Sequence, residues 1–288
     1  MILITSAVDT YPKKITQFIK EHTKHRTLIA NLYRDAALLS SLNPRKVLIH
    51  FRGTGYSALL KDGRFNVVND LESIANTTKK HYGQMKALSL GIKSPDTFSQ
   101  AIPGGNIGLI EQVVDIAFEE KGWKTCVIKP TTSKGQGAYV LKLERDSFKE
   151  TLKSIEPSVP KWFLQETVSF NRLVRVMTIG GRIIEQAVTY DYPRDGEWKC
   201  SVCMNPRALH DPDPDPLLFD FIEQITERLT LTSNRGISYI DVFDTDQGYV
   251  YNETNTSCNL THQERITGVP LAALTANYLI KEYEKHIS

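Results

Sequence analysis

The stretch "YVYNETNTSCN", residues 249–259, decides the reading of the fold. Its tyrosines and valine suit a strand, yet the run passes directly into Glu253 and Asn255, two oxygen-bearing residues two positions apart. Upstream, "ISYIDVFDTDQG", residues 237–248, carries Asp241 inside an apolar run. A turn centred near Gln247 folds the two segments into a hairpin, with Asp241 opposite or nearly opposite Glu253. Alternation puts Tyr249, Tyr251, Glu253 and Asn255 on one face of the second strand, and Ile237, Tyr239, Asp241 and Phe243 on one face of the first. Cross-strand neighbours have Cβ atoms about 4.5–5.5 Å apart. Two carboxylates that close on a half-buried sheet repel, and one is forced to hold a proton unless a cation separates them. A divalent ion removes the conflict, Asn255 adds a neutral oxygen, and an all-oxygen set suits Mg²⁺ or Mn²⁺ rather than Zn²⁺. The alternative is that these residues only cap an exposed strand end.

Outward from this hairpin the chain alternates strand and helix signals. "MILIT" is a short strand, followed by a helix from about Pro12 to His22 and strands in "RTLIANLY" and "RKVLIHF". Together they predict a small α/β lobe over 1–75. A second unit, 76–164, opens with a helix capped by Thr77 or Thr78 and ended by Gly91, followed by a helix from about Ile107 to Lys121, the strand "WKTCVIKP" and a glycine-containing hairpin, "TTSKGQGAYVLKL". A third unit, 165–288, is richer in strands, with a hairpin turning at Gly180–Gly181 and a C-terminal helix from about Pro270 to Tyr283. In "HDPDPDPLLFDFIEQITERL" Asp215 caps a helix, Pro216 starts it, and Leu217, Leu218, Phe221, Ile222, Ile225 and Leu229 form its apolar stripe. Helix entry explains the Asp–Pro alternation better than cation binding. The fold class expected is α+β.

Composition excludes little but points one way. The 288 residues carry a net charge of +2, so no global field argues for nucleic acid. The apolar start of the chain is too short for a signal h-region or a membrane span, and a cytoplasmic protein is expected. Cys200 and Cys203 form a CxxC without the second pair or nearby histidine that a zinc site needs, so reduced thiols are the simpler reading.

Two further places concentrate chemistry. Lys129 ends the apolar strand "CVIK", where its long side chain can reach a cleft, and "GQG", Gly135 to Gly137, offers unobstructed backbone N–H groups of the kind that hold phosphate oxygens. "SKGQG" lacks the GxxxxGK[ST] pattern and leads to a strand. "GTG" at 53–55 is a turn on its own. In "LVRVMTIGG" Arg175 interrupts an apolar run, which aims it at a ligand, a phosphate or a carboxylate, or else marks an edge strand.

The order of these pieces resembles the ATP-grasp superfamily, and most of all its RimK-type carboxylate–amine ligases. A Lys-bearing helix leads to "LGIKSPDTF", then "VIKP", a glycine loop, "FLQETV", "VRVMTIGGRII", "IDVF" and "ETN", in register over about residues 76 to 285. The resemblance implies an ATP-grasp fold behind a small N-terminal lobe, with ATP held between two α/β subdomains. It implies that Lys80 and Lys129 contact the phosphates and adenine of ATP, and that Ser133, Gly135, Gln136 and Gly137 lie in the loop over the triphosphate. Gln165, Glu166, Thr167 and Val168 match the hinge that reads adenine, Arg175 matches the arginine at the transferring phosphoryl group, and Asp241, Glu253 and Asn255 match the ligands of Mg²⁺ or Mn²⁺. Lys199, with Ser201 and Asn205, matches a weaker phosphate motif, and Arg52 is a candidate for an acceptor carboxylate. The sequence departs from the family at Leu173, where an Asp is usual, and in "NTSCN", which lacks a proline and a glycine.

The implied activity joins a substrate carboxylate to an amine, from an amino acid, a peptide or a protein tail, through an acyl phosphate, releasing ADP and phosphate. No nucleic acid or membrane partner is expected, and a homo-oligomer is compatible. A silent ATP-binding sensor or scaffold and an ATP-grasp kinase are the alternatives, and Leu173 is the feature favouring the silent binder. Asp241→Asn or Glu253→Gln is expected to abolish turnover and leave the protein folded.

Overall fold

The structure, a computed structural model, describes residues 1–5, 11–31, 35–51, 63–69, 80–131, 139–194, 197–200, 202, 207–229, 236–256 and 260–288. Three sheets organise them. The first is four-stranded and parallel, in the order β2-β1-β3-β4, from β1 (Ile2–Thr5), β2 (Thr27–Ala30), β3 (Leu48–His50) and β4 (Asn66–Val68). Helices α1 (Tyr11–His22) and α2 (Ala36–Ser41) lie between its strands in the chain. The next unit contains α3 (Lys80–Ser89), β5 (Ile102–Pro103), α4 (Ile107–Glu119), β6 (Thr125–Pro130), β7 (Leu141–Glu144), α5 (Phe148–Leu152) and β8 (Lys161–Glu166). Its sheet is antiparallel, in the order β5-β8-β6-β7. The third sheet is antiparallel, with β9 (Arg172–Ile179) at its centre beside β10 (Arg182–Ile183) and β11 (Thr189–Asp191), and with β12 (Leu209–His210) beyond β11 at the edge. After α6 (Pro216–Arg228) come β13 (Ile237–Thr245) and β14 (Gly248–Asn255), then α7 (Leu260–Thr267) and α8 (Leu271–Ile287).

The cores follow these sheets. Trp162, Ile128 and Leu164 pack with Phe118 of α4 and Leu152 of α5 in the second unit. On one face of the third sheet, Val174, Val176, Ile240, Val242 and Tyr251 bury against Leu218, Ile222 and Ile225 of α6. Ala87 of α3 and Ile92 belong to that same core. The helix that the sequence groups with the second unit therefore buries its apolar side on the third sheet. The other face, through Met177, Ile179, Ile237 and Tyr239, shares a core with Ile4, Ile15 and Leu48 of the first lobe and with Leu271 and Leu279 of α8. Each such fully buried aliphatic side chain contributes about 1.5–3 kcal/mol, so the first lobe is welded to the third sheet.

Two corrections concern packing. Leu217, expected in the apolar stripe of α6, is 66% exposed. It is the second residue of the helix, and its neighbour Leu218 is the one that enters the core. The C-terminal helix extends to Ile287, and α7 precedes it as a separate helix where none was expected. Other expectations hold. Gly180 and Gly181 turn the β9–β10 hairpin at φ 60° and 79°, the left-handed region that glycine tolerates. A Cβ on Gly180 would also sit 2.6 Å from the Tyr278 ring.

Asp215 accepts the Leu217 N–H at 2.9 Å, and its second oxygen accepts the Tyr249 hydroxyl at 3.1 Å. Asp215→Ala is expected to cost about 1 kcal/mol as a lost helix cap, measured by urea denaturation. A midpoint equal to that of the unaltered protein would show that the cap is idle.

Candidate active site

The central feature is a row of three charged side chains across adjacent strands. Arg175 of β9 is the register partner of Asp241 of β13, and Asp241 is the partner of Glu253 of β14. The hairpin therefore closes as the sequence implied, with Thr245 opposite Gly248. Beyond Asp241 the register changes, because Val242 pairs with Tyr251 and leaves Asn252 as the extra residue of a β-bulge. Bulges re-aim side chains and gather at sites. This one overturns the simple alternation: Tyr251 enters the α6 core, whereas Glu253 and Asn255 stay with Asp241 and Tyr239 on the opposite face.

Arg175 donates to both oxygens of Asp241, from Nε and Nη2, each at 2.7 Å. Both residues are buried, 6% and 2% exposed, and the guanidinium also lies over the Tyr239 ring, 5.6 Å from its centroid. A planar fork on a carboxylate is the strongest geometry such a pair can take. Arg175 is therefore an internal residue of the sheet; the edge-strand reading is set aside, and the partner it meets is the neighbouring carboxylate.

Glu253 is held from the other side. Its Oε2 meets the Lys80 ammonium in an ion pair, and its Oε1 accepts the Asn255 amide N–H at 3.0 Å. Burial opposes ionisation of Glu253, but the Lys80 charge and hydrogen bond outweigh it and lower its pKa. Burial likewise opposes the Lys80 charge, and Glu253 and Asp241 outweigh it, so its pKa rises. The first residue of α3 is pinned by its N–H on the Thr131 carbonyl at 3.1 Å, which sets Lys80 beside the end of β6. One turn on, the buried Gln84 donates to the Asn252 carbonyl in the bulge. The same helix face thus holds the cation and the backbone that aims its carboxylate.

Lys129 of β6 completes the cluster. Its ammonium donates to Gln165 Oε1 at 2.7 Å. Burial first, and then the Lys80 charge, push its pKa down to about 8, with Glu253 acting in the opposite sense. Three cations thus face two carboxylates, and the cation left with a neutral partner is Lys129. That surplus positive charge is suited to an anion.

The donor chemistry can be tested against a divalent metal. Asp241 and Glu253 are cross-strand partners with Asn255 bonded to Glu253, and each carboxylate oxygen keeps a lone pair beyond the one its partner occupies. Hard oxygens in this arrangement fit Mg²⁺ or Mn²⁺. Among the described residues no three His, Cys, Asp or Glu side chains gather as a metal set.

The hinge candidates lie at the end of β8. Glu166 N–H is committed to the Asp96 carbonyl at 2.8 Å and Thr167 N–H to the Thr125 carbonyl at 3.3 Å. The Glu166 residue is exposed overall, but partial desolvation of its carboxyl, and then the Asp96 charge, raise its pKa against the pull of Lys121. Val168 follows, half-buried. Lys199 is exposed with its ammonium 5.3 Å from the centroid of the Trp198 ring, and this contact does not join it to the cluster. Ser133, Gly135, Gln136 and Gly137 lie outside the described residues, as do Arg52, Ser201, Asn205 and Cys203. Cys200 is a half-buried free thiol, pushed up to about 12 chiefly by burial.

Sequence reading missed Gln84, Thr97 and Asn69. Gln84 stands four residues after Lys80, a spacing that shares a helix face and was legible. Asn69, with φ 63°, donates to the Phe51 carbonyl at 3.1 Å and accepts the Ile237 N–H at 2.7 Å, tying the first lobe to the strand that carries Asp241. Nothing in the local sequence announces it.

Comparison with solved structures now bears on this arrangement. The D-cycloserine synthetase DcsG superposes with a TM-score of 0.72 at 13% identity, over 98% of this chain and 99% of its own. The ATP-grasp ligase PsnB, complexed with a minimal precursor, gives 0.66 at 14% identity, over 98% of each chain. The chain has the ATP-grasp fold. A RimK domain ATP-grasp protein from Sphaerobacter thermophilus gives 0.65 at 17% identity, over 96% of this chain and 98% of that one. At these identities the shared property is the ATP-grasp architecture itself. No protein-family model and no curated protein matches the sequence. Among the described residues no helix is long and apolar enough to cross a membrane.

Proposed function

We propose that the protein is an ATP-dependent carboxylate–amine ligase of the RimK type. It transfers the γ-phosphoryl group of ATP to a substrate carboxylate, then lets an amine displace phosphate to form an amide. The observation that carries this reading is the in-register row Arg175–Asp241–Glu253 meeting Lys80 and Lys129 at one point. Asp241, Glu253 and Asn255 would hold Mg²⁺ or Mn²⁺, which when bound offsets phosphate charge.

The chain's own residues account for the rest. Lys129, whose hydrogen-bond partner is a neutral amide, binds the triphosphate with an uncompensated charge. Lys80 exchanges its Glu253 partner for a phosphate oxygen. Arg175, fixed on Asp241 by two hydrogen bonds, holds that carboxylate in one orientation. Such pre-set charges act where negative charge develops and need no reorganisation during phosphoryl transfer. Solved structures of this fold include a ligase complexed with a precursor and a D-cycloserine synthetase, which supports an amino acid, a peptide or a protein tail as the substrate class.

Leu173 packs with Val202 and Ala208 and against Phe170 and Phe243, so the position that departs from the family is an apolar neighbour of the charged row, one row along on the same face of the sheet as Arg175 and Asp241. It stays the feature in favour of a silent binder.

The test is a screen of amino acids and acidic peptides for ATP-dependent mass gain on an acceptor, with loss of one water per bond. Amine-dependent phosphate release is expected. ADP formation with a stable phosphorylated product would instead make the protein a kinase, and tight ATP binding without ADP would make it a sensor.

A further inference from the structure

Lys129 is the end of a chain of buried hydrogen bonds whose direction is forced. Its ammonium can only donate, so the Gln165 atom that faces it at 2.7 Å is the carbonyl Oε1. The amide Nε2 then points the other way and donates to Thr97 Oγ1 at 3.1 Å. The Thr97 hydroxyl spends its own proton on the Pro95 carbonyl at 3.0 Å, which leaves a lone pair for Gln165. Gln165 is 1% exposed and Thr97 4%, so water does not substitute for either partner. The backbone is equally constrained. Thr97 and Gln165 form a β-bridge, flanked by Glu166 N–H on the Asp96 carbonyl and Phe98 N–H on the Leu164 carbonyl at 2.8 and 3.0 Å.

We propose that Thr97 is a positioning residue for Lys129: by fixing which end of the Gln165 amide faces the ammonium, it holds that cation aimed at the anionic ligand without neutralising it. The choice of a neutral amide matters. A carboxylate at position 165 would also orient Lys129 but would spend its charge in a buried ion pair, as Glu253 does for Lys80. If the Thr97 acceptor is removed, the buried Gln165 Nε2 loses its partner, and only the Lys129 ammonium itself still holds the amide in this orientation. The other charges facing the Lys129 ammonium are Lys80, which repels it, and Glu253, which attracts it, and neither is altered by a change at position 97.

The consequence for nucleotide binding rests on the ligase reading, while the orientation of Lys129 does not, and the experiment separates them. In the full chain, Thr97→Val and Thr97→Ser are compared with the unaltered protein in two measurements. One is the rate at which an acylating reagent modifies Lys129 near neutral pH without nucleotide, read by peptide mass mapping with surface Lys149 as the internal control. The other is the affinity for a nonhydrolysable ATP analogue with magnesium, by calorimetry. Thr97→Val is expected to speed Lys129 modification several-fold, because the amide that accepts from the ammonium is then held at one end only, and to weaken nucleotide binding about tenfold, the size of one lost buried hydrogen bond. Thr97→Ser, which keeps the hydroxyl, is expected to restore both. An unchanged Lys129 rate in Thr97→Val overturns the proposal, whether or not the variant melts earlier. An altered rate rescued by serine upholds it, even where the unaltered protein binds no nucleotide and the ligase reading falls.

Discussion

Asp241→Asn is expected to lower turnover by about 10²–10³ and also to destabilise the fold by about 3–5 kcal/mol. The sequence alone implied loss of activity in an intact protein. The structure adds the second effect, because both oxygens of Asp241 take hydrogen bonds from Arg175 in a buried pair. An asparagine can satisfy one of those donors but turns its own NH₂ toward the other, leaving a guanidinium desolvated without a counter-charge. The two losses are separable. Replacing the pair together, Arg175→Met with Asp241→Leu, removes the stranded cation and is expected to recover stability, since a buried ion pair exchanged for apolar residues is often neutral or better. That double variant stays inactive. Urea unfolding midpoints beside ADP release measure both quantities, and near-normal turnover in Asp241→Asn would remove the row from the catalytic account.

How much of this was legible depended on whether neighbours along the chain or neighbours in space set the outcome. The β13–β14 hairpin was readable from its alternation and turn residues, but the two-residue turn alone would set Asp241 opposite Asn252, and Asp241 meets Glu253 because the bulge adds one residue. The bulge at Asn252 was not, because it is held by Gln84 from a helix far away in sequence. It reverses the faces of Tyr249 and Tyr251, which alternation had placed with the acidic residues. Leu217 looked like part of an apolar stripe because helical spacing cannot say which of two adjacent leucines enters the core. α3 was grouped with the second unit by chain order, and its core was not legible for a similar reason: Ala87 and, just after the helix, Ile92 fit any apolar surface, and only the tertiary arrangement selects the third sheet. In the site, Lys80, Lys129, Arg175 and the three oxygen donors were found from pattern and resemblance. Their partners were not. That Arg175 grips Asp241 and Lys80 grips Glu253 follows from strand order, which a sequence does not print.

Lys129→Met is expected to abolish ATP turnover, by about 10²–10³ or more, while changing stability in a pH-dependent way that no other site residue would reproduce. In the folded protein Lys129 has its pKa lowered to about 8 from an ordinary 10.5, by burial and then by Lys80. Holding the ammonium there costs folding free energy. Below pH 8 both folded and unfolded chains carry the proton and the cost is complete. Between about 8 and 10.5 the folded state releases the proton while the unfolded state keeps it, so stability rises with pH. Above that range the cost is gone. Methionine removes it at every pH, so the variant should gain most on the unaltered protein at neutral pH and lose that advantage as the pH approaches 10.5. Gln165 Oε1 loses its donor in the variant, a penalty of about 1–3 kcal/mol that is constant with pH and leaves the slope untouched. Urea midpoints of both proteins across this range provide the measurement. A difference that stays flat with pH would mean that Lys129 is comfortable in the fold, and the surplus charge assigned to it as the anchor for a triphosphate would have to be sought elsewhere. A difference that declines as described would make Lys129 a residue kept at the expense of stability, which is the mark of a group retained for what it binds.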